Sequence, residues 1–458
     1  MKKNILILAL FFTSVSYAQQ PHWLGMSENK RFFVTQDGKP FFWLGDTGWL
    51  LFIKCNREET LHYLDIRKQQ GFNVIQVMVL HTLSAKTVYG AGAIESNDVS
   101  TPIVTAGNNI NEPGAYDYWD HVEWVVQEAA KRGIYMALVP VWGSNVKEGK
   151  VSAAQATIYG KFLAERFKNY SNIIWLNGGD IMGSDHKEVW EALGKTIKKY
   201  DARHLMTYHP RGRYTSSDWF LNESWLDFNM FQSGHRKYAQ DTSSLEKHRF
   251  GEDNWKYVVN DYALKPTKPT LDGEPSYEHI PEGLHDSLNR RWNAADIRRY
   301  AYWSVFAGAA GFTYGDNAVM QFHTMGEKGG AYGVRENWKD DIYAPGAQQM
   351  HFLKSLMLSK DYFSRIPAQQ IVLNNSGKQY EYLLATKGKD YAMVYTFIGK
   401  NFSIDASKLD FKANKAKWFK PADGSIQNAK FKKKGNILSF NPPGKKERGN
   451  DWVLIIEN

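Results

Sequence analysis

Short apolar runs alternate with longer amphipathic segments through most of the chain. The apolar runs are rich in β-branched and aromatic residues, whereas the amphipathic segments repeat their apolar positions every three to four residues. This alternation is typical of βα units that build a parallel sheet. It predicts eight strands, at residues 41–46, 73–79, 134–142, 172–180, 204–210, 227–235, 269–275 and 311–316.

Amphipathic helices are expected after seven of these eight strands. They are predicted at residues 58–71, 116–132, 153–169, 186–200, 253–263, 294–309 and 347–358. Eight successive strand–helix units indicate an α/β fold, a (β/α)8 TIM barrel, which we assign to residues 19–365. No GxGxxG or GxxxxGK[ST] turn occurs in the sequence, so a nucleotide-binding sheet has no support.

The pattern changes after residue 365. Runs such as YEYLLAT and DYAMVYTF alternate apolar and polar positions, and FSIDA, AKWFKP, ILSFNPP and DWVLIIE follow at short intervals. Alternating short strands of this kind predict a small antiparallel β-sandwich, at residues 366–458.

The first residues, MKKNILILALFFTSVSYAQQ, have the pattern of an export signal. Two lysines precede an apolar run that is too short to span a bilayer, and small residues precede the expected cleavage after Ala18. A buried N-terminal helix is the alternative. We therefore expect a signal peptide at residues 1–18, a periplasmic or extracellular location and no membrane span.

Composition narrows the range of partners. Cys55 is the one cysteine, so no intramolecular disulfide can form. The net charge is +9, but residues 368–458 alone hold 16 Lys and Arg against 8 Asp and Glu. This basic segment is either a solvated surface or a contact for an anionic polymer, and we expect no nucleic-acid partner. Sixteen Trp residues suit sugar-binding surfaces or simply the core.

Two strand ends carry the candidate catalytic groups. In a (β/α)8 barrel the reacting residues follow the strands at their C-terminal ends. NIIWLNGGD ends strand four at Asp180, and LDGEP ends strand seven at Glu274. Cleavage of a glycosidic bond needs one carboxyl group that protonates the leaving oxygen and another that attacks carbon or activates water. Either residue alone could instead be a turn or a helix N-cap.

Polar and aromatic residues at the other strand ends are candidates for substrate binding. They are Asp46, Gln76, His81, Trp142, Asn177, Tyr208, His209, Gln232, Asp272 and Tyr314. Asp272 would either hydrogen-bond the substrate or tune the pKa of Glu274, and Asp46 would either contact sugar hydroxyls or cap the first helix. Histidines do not fall at metal-ligand spacings and no HExxH or GxSxG motif occurs, so we expect no metal and no cofactor.

Four motifs in order, FFWLGDTGWLLF, GFNVIQVMV, NIIWLNGGD and PTLDGEPSYE, resemble the apiosidase-like proteins of glycoside hydrolase family 140. The C-terminal segment is similar to the β-domain that follows in that family, sometimes labelled collagen-binding. The resemblance implies removal of apiose-headed side chains from the galacturonan backbone of the pectin rhamnogalacturonan II. It also implies Asp180 as acid/base, Glu274 as nucleophile and retention of configuration.

One departure and several alternatives accompany this resemblance. The wider superfamily of barrel glycosidases usually has Asn-Glu at the end of strand four, whereas this chain has Asn177-Gly-Gly-Asp180. A barrel glycosidase of other specificity, such as an endo-β-glycanase or an arabinofuranosidase, fits the same pattern. A non-catalytic polysaccharide-binding protein is a further alternative, and the sequence does not indicate the oligomeric state.

Overall fold

The computed structural model describes residues 21–240, 249–373 and 377–458. The predicted signal peptide at residues 1–18 lies outside the described residues. In the part of the chain that is described, no helix combines the length and the apolar character that crossing a membrane requires.

Eight parallel strands form the barrel, as predicted. They are β1 (Trp43–Thr47), β2 (Val74–Met78), β3 (Tyr135–Val139), β4 (Ile173–Ile181), β5 (Met206–Pro210), β6 (Asn229–Gln232), β7 (Thr270–Asp272) and β8 (Gly311–Tyr314). β1 to β5 pair in chain order, β6 pairs with β7 and β7 with β8, and β8 pairs with β1. A two-residue strand, Tyr214–Thr215, lies antiparallel to β6.

The barrel closes between β5 and β6 through side chains as well as backbone. The amide of Asp227 donates to the carbonyl of Met206 at 2.8 Å, and the Asp227 carboxylate accepts from the Met206 amide at 2.7 Å. The hydroxyl of Thr207 donates to the carbonyl of Phe228 at 2.5 Å. β5 and β6 form no regular ladder of backbone hydrogen bonds, and these bonds give partners to backbone N–H and C=O groups at their facing edges.

Each strand is followed by a helix. They are α1 (Arg57–Gln69), α2 (Tyr118–Lys131), α3 (Ala153–Phe167), α4 (Lys187–Tyr200), α5 (Ser217–Phe220), α6 (Trp255–Ala263), α7 (Ala294–Phe306) and α8 (Pro345–Leu358). Shorter helices at Leu51–Lys54, Gly143–Lys147, Asn317–Met320 and Trp338–Asp341 lie in the loops. Capping boxes begin α1, α2, α3 and α7 and satisfy amides that the first turn leaves free.

A small N-terminal sheet covers the bottom of the barrel. Its antiparallel strands are Leu24–Met26, Phe33–Thr35 and Pro40–Phe41. The ring of Phe33 packs edge-on against Phe228 at 5.0 Å, and Phe41 packs against Tyr135 at 5.1 Å. The sheet therefore excludes water from the end of the barrel opposite the candidate site.

The C-terminal domain is an antiparallel sandwich, as the alternating pattern predicts. One sheet contains Ile366–Pro367, Leu384–Lys387, Tyr391–Thr396, Lys415–Phe419, Ile426–Asn428 and Trp452–Glu457. The other contains Val372–Leu373, Phe402–Asp405, Phe431–Lys434 and Ile437–Phe440. Apolar residues from both sheets, including Val394, Ile404 and Leu454, form their common core.

Helix α7 joins the sandwich to the barrel. The Arg298 guanidinium forms a bidentate ion pair with Asp451, at 2.9 and 2.7 Å, and both side chains are buried. Beside this pair, the rings of Tyr302 and Tyr395 stack with centroids 4.9 Å apart. The sandwich is therefore packed against the barrel through an interface that is both apolar and charge-paired.

Candidate active site

The end of β4 turns sharply and presents Asp180 to the mouth of the barrel. Gly178 and Gly179 have φ angles of +92° and +118°, and Asp180 itself has +53°. A Cβ on Gly178 would lie 2.6 Å from the carbonyl oxygen of His209, and one on Gly179 would lie 2.6 Å from the ring of Trp142. Only glycine fits both conformations and both contacts, so this turn determines where the carboxyl group of Asp180 lies.

Glu274 lies at the mouth of the barrel, just beyond β7, between two histidines. Nε2 of His235 lies 3.0 Å from Oε1 of Glu274, and Nε2 of His209 lies 3.2 Å from Oε2. Burial by itself raises the pKa of Glu274, but the two imidazoles outweigh burial and lower it to about 2. Glu274 is therefore an ionised carboxylate at neutral pH.

The pKa of Asp180 is shifted in the opposite direction. Its side chain faces the open part of the cleft, but dense protein around it disfavours the charged form. Burial, and after it the negative charge of Glu274, raise the pKa of Asp180 to about 6. Two carboxyl groups whose pKa values are pushed apart in one site are the expected arrangement for an acid and a nucleophile or base.

Both carboxyl groups line one small cleft. Its other lining residues are Arg211, Gly212, Arg213, Gln232, Gly234, His235, Arg236, Leu284 and Tyr332. The cavity volume is about 140 Å³, below the roughly 300–1,000 Å³ of pockets for drug-sized ligands. Such a cleft suits a single small sugar unit, and three arginines give it a positive rim.

An aromatic wall lies beside Glu274. The rings of Trp49 and Trp142 pack 5.3 Å apart, and the imidazole of His209 lies 5.4 and 5.9 Å from them. This packing fixes the orientation of His209, and through it the carboxylate of Glu274.

The structure brings five of the sequence-predicted residues together around the cleft. Asp180, Glu274 and Gln232 line it, His209 contacts Glu274, and Trp142 packs on His209. Gln76 lies one layer below, where its Nε2 donates to the carbonyl of Gly273 at 2.8 Å. Gln76 therefore supports the backbone next to Glu274 without reaching the cleft surface.

The acids Asp46 and Asp272 lie in the protein interior and do not line the cleft. Asp46 is fully buried and accepts 2.6 Å hydrogen bonds from Arg67 and Tyr63, so it neither faces the cleft nor caps the first helix. Asp272 accepts from Ser233 at 2.7 Å and from Asn254 at 3.0 Å. Burial raises the pKa of Asp272 to about 7. Since both acids are enclosed by protein, the structure corrects their predicted contact with substrate.

Four other predicted substrate ligands also point elsewhere. The amide of Asn177 donates to the carbonyl of Trp190 at 2.8 Å, and the hydroxyl of Tyr208 donates to Ile181 at 3.1 Å. The hydroxyl of Tyr314 donates to Glu278 at 2.7 Å. His81 is half-buried in the loop after β2, with Nδ1 3.2 Å from the sulfur of Met78. Their partners are all protein groups, and none of the four lines the cleft.

Sequence reasoning missed the arginine rim and Tyr332. Arg211 and Arg213 directly follow β5 in the stretch HPRGR, and Arg236 follows the histidine after β6. The strand-end rule that selected the carboxylates would also have selected these arginines. Tyr332 lies in the glycine-rich stretch MGEKGGAYGV, which has no periodicity to assign it to a strand or helix.

Comparison with known proteins places these features in a family. A family model described as "Apiosidase-like, catalytic domain" matches residues 27–364, and one described as "Putative collagen-binding domain of a collagenase" matches residues 366–457. A search of curated proteins found no match.

Two solved structures resemble the whole chain. A glycoside hydrolase is 44% identical, with a TM-score of 0.89, over 95% of this chain and 97% of the other. A glycoside hydrolase family 5 protein from Bacteroides vulgatus ATCC 8482 is 42% identical, with a TM-score of 0.88, over 95% of this chain and 92% of the other.

Proposed function

This chain belongs to the apiosidase-like family of glycoside hydrolases, and on that premise we propose that it cleaves apiose–galacturonate linkages in rhamnogalacturonan II. The observation that carries the proposal is the pairing of an ionised Glu274 with a protonatable Asp180 in one cleft of single-sugar size. A protein that only binds polysaccharide needs no such pair of carboxyl groups.

The first step transfers the sugar to the enzyme. Glu274, held as a carboxylate by two histidines, attacks the anomeric carbon. The bond from that carbon to the leaving oxygen breaks while Asp180 gives its proton to that oxygen. The product is a sugar ester on Glu274 and a free hydroxyl on the departing chain.

The second step follows from the electrostatic coupling between the two acids. The charge of Glu274 is one of the causes that raise the pKa of Asp180. Esterification of Glu274 removes that charge, so the pKa of Asp180 falls when it has to accept a proton. Asp180 then deprotonates water, which attacks the same carbon and releases the sugar with retained configuration.

The arginine rim supports an anionic substrate. Arg211 is exposed at the cleft, and Arg213 and Arg236 line it as well. A guanidinium binds a carboxylate through two parallel hydrogen bonds, which favours a uronate next to the scissile bond. The alternative specificities, an endo-β-glycanase or an arabinofuranosidase, act on neutral sugars and would make no comparable use of this charge.

The test compares variants on rhamnogalacturonan II oligosaccharides. We expect Glu274→Gln and Asp180→Asn each to lower the rate of apiose-headed side-chain release by about 10³-fold, since each removes one of the two reacting groups. Glu165→Gln and Asp390→Asn, both exposed and outside the cleft, serve as controls.

Chromatography of released oligosaccharides measures the rate, and proton NMR of the first product measures its anomeric configuration. Near-wild-type rates in both variants would refute the catalytic pair. Hydrolysis of neutral glycans in preference to the pectic substrate would refute the specificity, and initial release of the inverted anomer would refute the two-step mechanism.

We also propose that the protein acts outside the cytoplasm, because its first residues have the pattern of an export signal. N-terminal sequencing of the protein recovered from periplasmic and culture fractions should begin at Gln19. Recovery of the uncut chain from the cytoplasm alone would contradict this location.

A further inference from the structure

A compact cluster of His279, Asp316 and Asp341 lies on the same face of the barrel as the cleft, but does not line the cleft. Three separate segments supply it: the loop after β7, the residue that caps the Asn317–Met320 helix, and the end of the Trp338–Asp341 helix. Nδ1 of His279 lies 2.9 Å from Oδ2 of Asp316 and 2.8 Å from Oδ2 of Asp341. One candidate donor atom from each residue lies within 4.8 Å of the other two.

Hydrogen bonds alone leave this cluster incompletely paired. A ring nitrogen carries at most one hydrogen, so Nδ1 of His279 can donate to only one of the two carboxylates, and its hydrogen-bond partner is Asp341. Among the described residues, Oδ2 of Asp316 has no hydrogen-bond donor, although Asp316 is fully buried. A buried carboxylate oxygen without a hydrogen-bond donor is costly, and here two carboxylates share the single nitrogen Nδ1 of His279.

The orientation of Asp316 is fixed by its other oxygen. Oδ1 accepts the amides of Ala318 at 2.9 Å and Val319 at 3.1 Å, at the start of the Asn317–Met320 helix. This cap aims Oδ2 into the cluster. The side chains of His279 and Asp341 are 27% and 14% exposed, which leaves a route for an ion and for water from the surface.

We propose that His279, Asp316 and Asp341 bind one divalent transition-metal cation. Nδ1 of His279 and Oδ2 of each aspartate are the ligands, and water completes the coordination. Donor atoms that share a cation at about 2.0–2.2 Å stand roughly 3 Å apart, close to the two separations from Nδ1. The two aspartate oxygens, which lie within 4.8 Å of each other, would draw together around the ion. One imidazole with two carboxylates suits Mn²⁺ or Zn²⁺ better than Ca²⁺, which takes oxygen ligands.

The bound ion would tether a segment that completes the cleft. His279 follows Glu274 by a few residues, and the segment between Asp316 and Asp341 carries Tyr332. The amide of Asn317 already donates to the carbonyl of Tyr332 at 3.2 Å. Tyr332 lines the same cleft as Glu274 and Asp180, and burial and then the charges of these two acids raise its pKa to about 12. The cation has a positioning role here and takes no part in the reaction.

The test uses the untagged full chain after treatment with EDTA and dialysis. Calorimetric titration with MnCl₂ and with ZnCl₂ should show one site per chain for at least one of these ions, and CaCl₂ should bind more weakly. At an ion concentration about 100-fold above Kd, Tm should rise by roughly 5 °C. This readout does not depend on the substrate, so it succeeds or fails separately from the proposed function.

The variant Asp341→Asn removes one ligand near the surface and should weaken binding at least 10-fold and abolish the rise in Tm. The matched control is Asp340→Asn, an exposed neighbour on the same short helix, which should bind like the wild type. His279→Gln provides a second ligand variant with the same expected loss. Absence of a rise in Tm and of binding with both Mn²⁺ and Zn²⁺ would overturn the site, as would undiminished binding in both ligand variants.

Discussion

The two carboxyl groups of the cleft differ because their neighbours differ. His209 and His235 both lie beside the carboxylate of Glu274, whereas at Asp180 burial and the negative charge of Glu274 outweigh the more distant effect of the two imidazoles. The pKa of one acid is therefore about 2 and that of the other about 6. The proposed roles of nucleophile and acid rest on this difference more than on the residue types.

The proposed roles predict a pH dependence of kcat/KM. Activity needs Asp180 protonated and Glu274 ionised, so it should fall as pH rises through about 6 and as pH falls through about 2. In His235→Gln the loss of an imidazole should raise the pKa of Glu274, and to a smaller extent that of Asp180. The acid limb should therefore move clearly to higher pH.

Rate measurements across pH on a pectic oligosaccharide check this prediction. His351→Gln, on the remote helix α8, should leave both limbs in place. An acid limb that moves to lower pH in His235→Gln would show that the imidazole does not stabilise the carboxylate.

The sequence alone could locate the two acids, but it could not show which of the other strand-end residues face the cleft. A strand-end position shows that a residue lies near the mouth of the barrel, but not which way its side chain points. Asn177 and Tyr208 hold such positions and still point to protein groups, because the period-two alternation places them on the helix-facing side of their strands with Trp175 and Met206. Asp272 lies on the side of β7 that faces the helices, where Ser233 and Asn254 enclose it, and the sequence places both partners far from it.

At the scale of elements, the glycine turn of β4 is the part on which the position of Asp180 most depends. We predict that Gly179→Ala lowers activity about 10²-fold, since its Cβ would meet Trp142 and displace Asp180. Gly149→Ala is the matched control, because Gly149 has φ of +71° but nothing within 4 Å of its added Cβ. Steady-state rates and far-UV circular dichroism of both variants measure the effect. Equal losses of activity in both variants would show that the positive φ, and not the contact with Trp142, causes the loss.

The long strands and helices could be predicted because their patterns of apolar positions extend over many residues. The short elements could not. Helix α5 spans only Ser217–Phe220, a single turn with too few residues to show a helical period. The sixth strand is predicted at residues 227–235 but ends at Gln232 in β6. Residues 233–235 leave the sheet, and this departure brings His235 to Glu274, a tertiary effect that local pattern cannot show.

At the scale of the whole molecule, the interface through α7 should make the two domains unfold together. We predict that Arg298→Leu lowers the free energy of unfolding by about 3–5 kcal/mol, because it leaves Asp451 buried without its partner. Urea denaturation followed by fluorescence should then show two transitions instead of one. Lys161→Leu, exposed on α3, should keep a single transition, and a single transition in Arg298→Leu would show that other contacts suffice.

Three consecutive lysines of the basic C-terminal segment lie on one exposed strand. Phe431–Lys434 lies at the edge of its sheet and all four residues are exposed. Replacing Lys432, Lys433 and Lys434 with Gln should reduce the salt concentration that elutes the full chain from a pectate column. A matched triple replacement on the helices, at Lys161, Lys187 and Lys199, should elute later than this variant. Identical elution of the two would assign retention to net charge alone.

The buried thiol of Cys55 can report how often the barrel around it opens transiently. The thiol is 1% exposed behind the Leu51–Lys54 helix, and burial raises its pKa well above the usual range. An added thiol reagent can therefore reach it only during moments when the surrounding barrel separates. Because the chain has one cysteine, the rate of labelling under native conditions reports those moments with no introduced probe and no competing site.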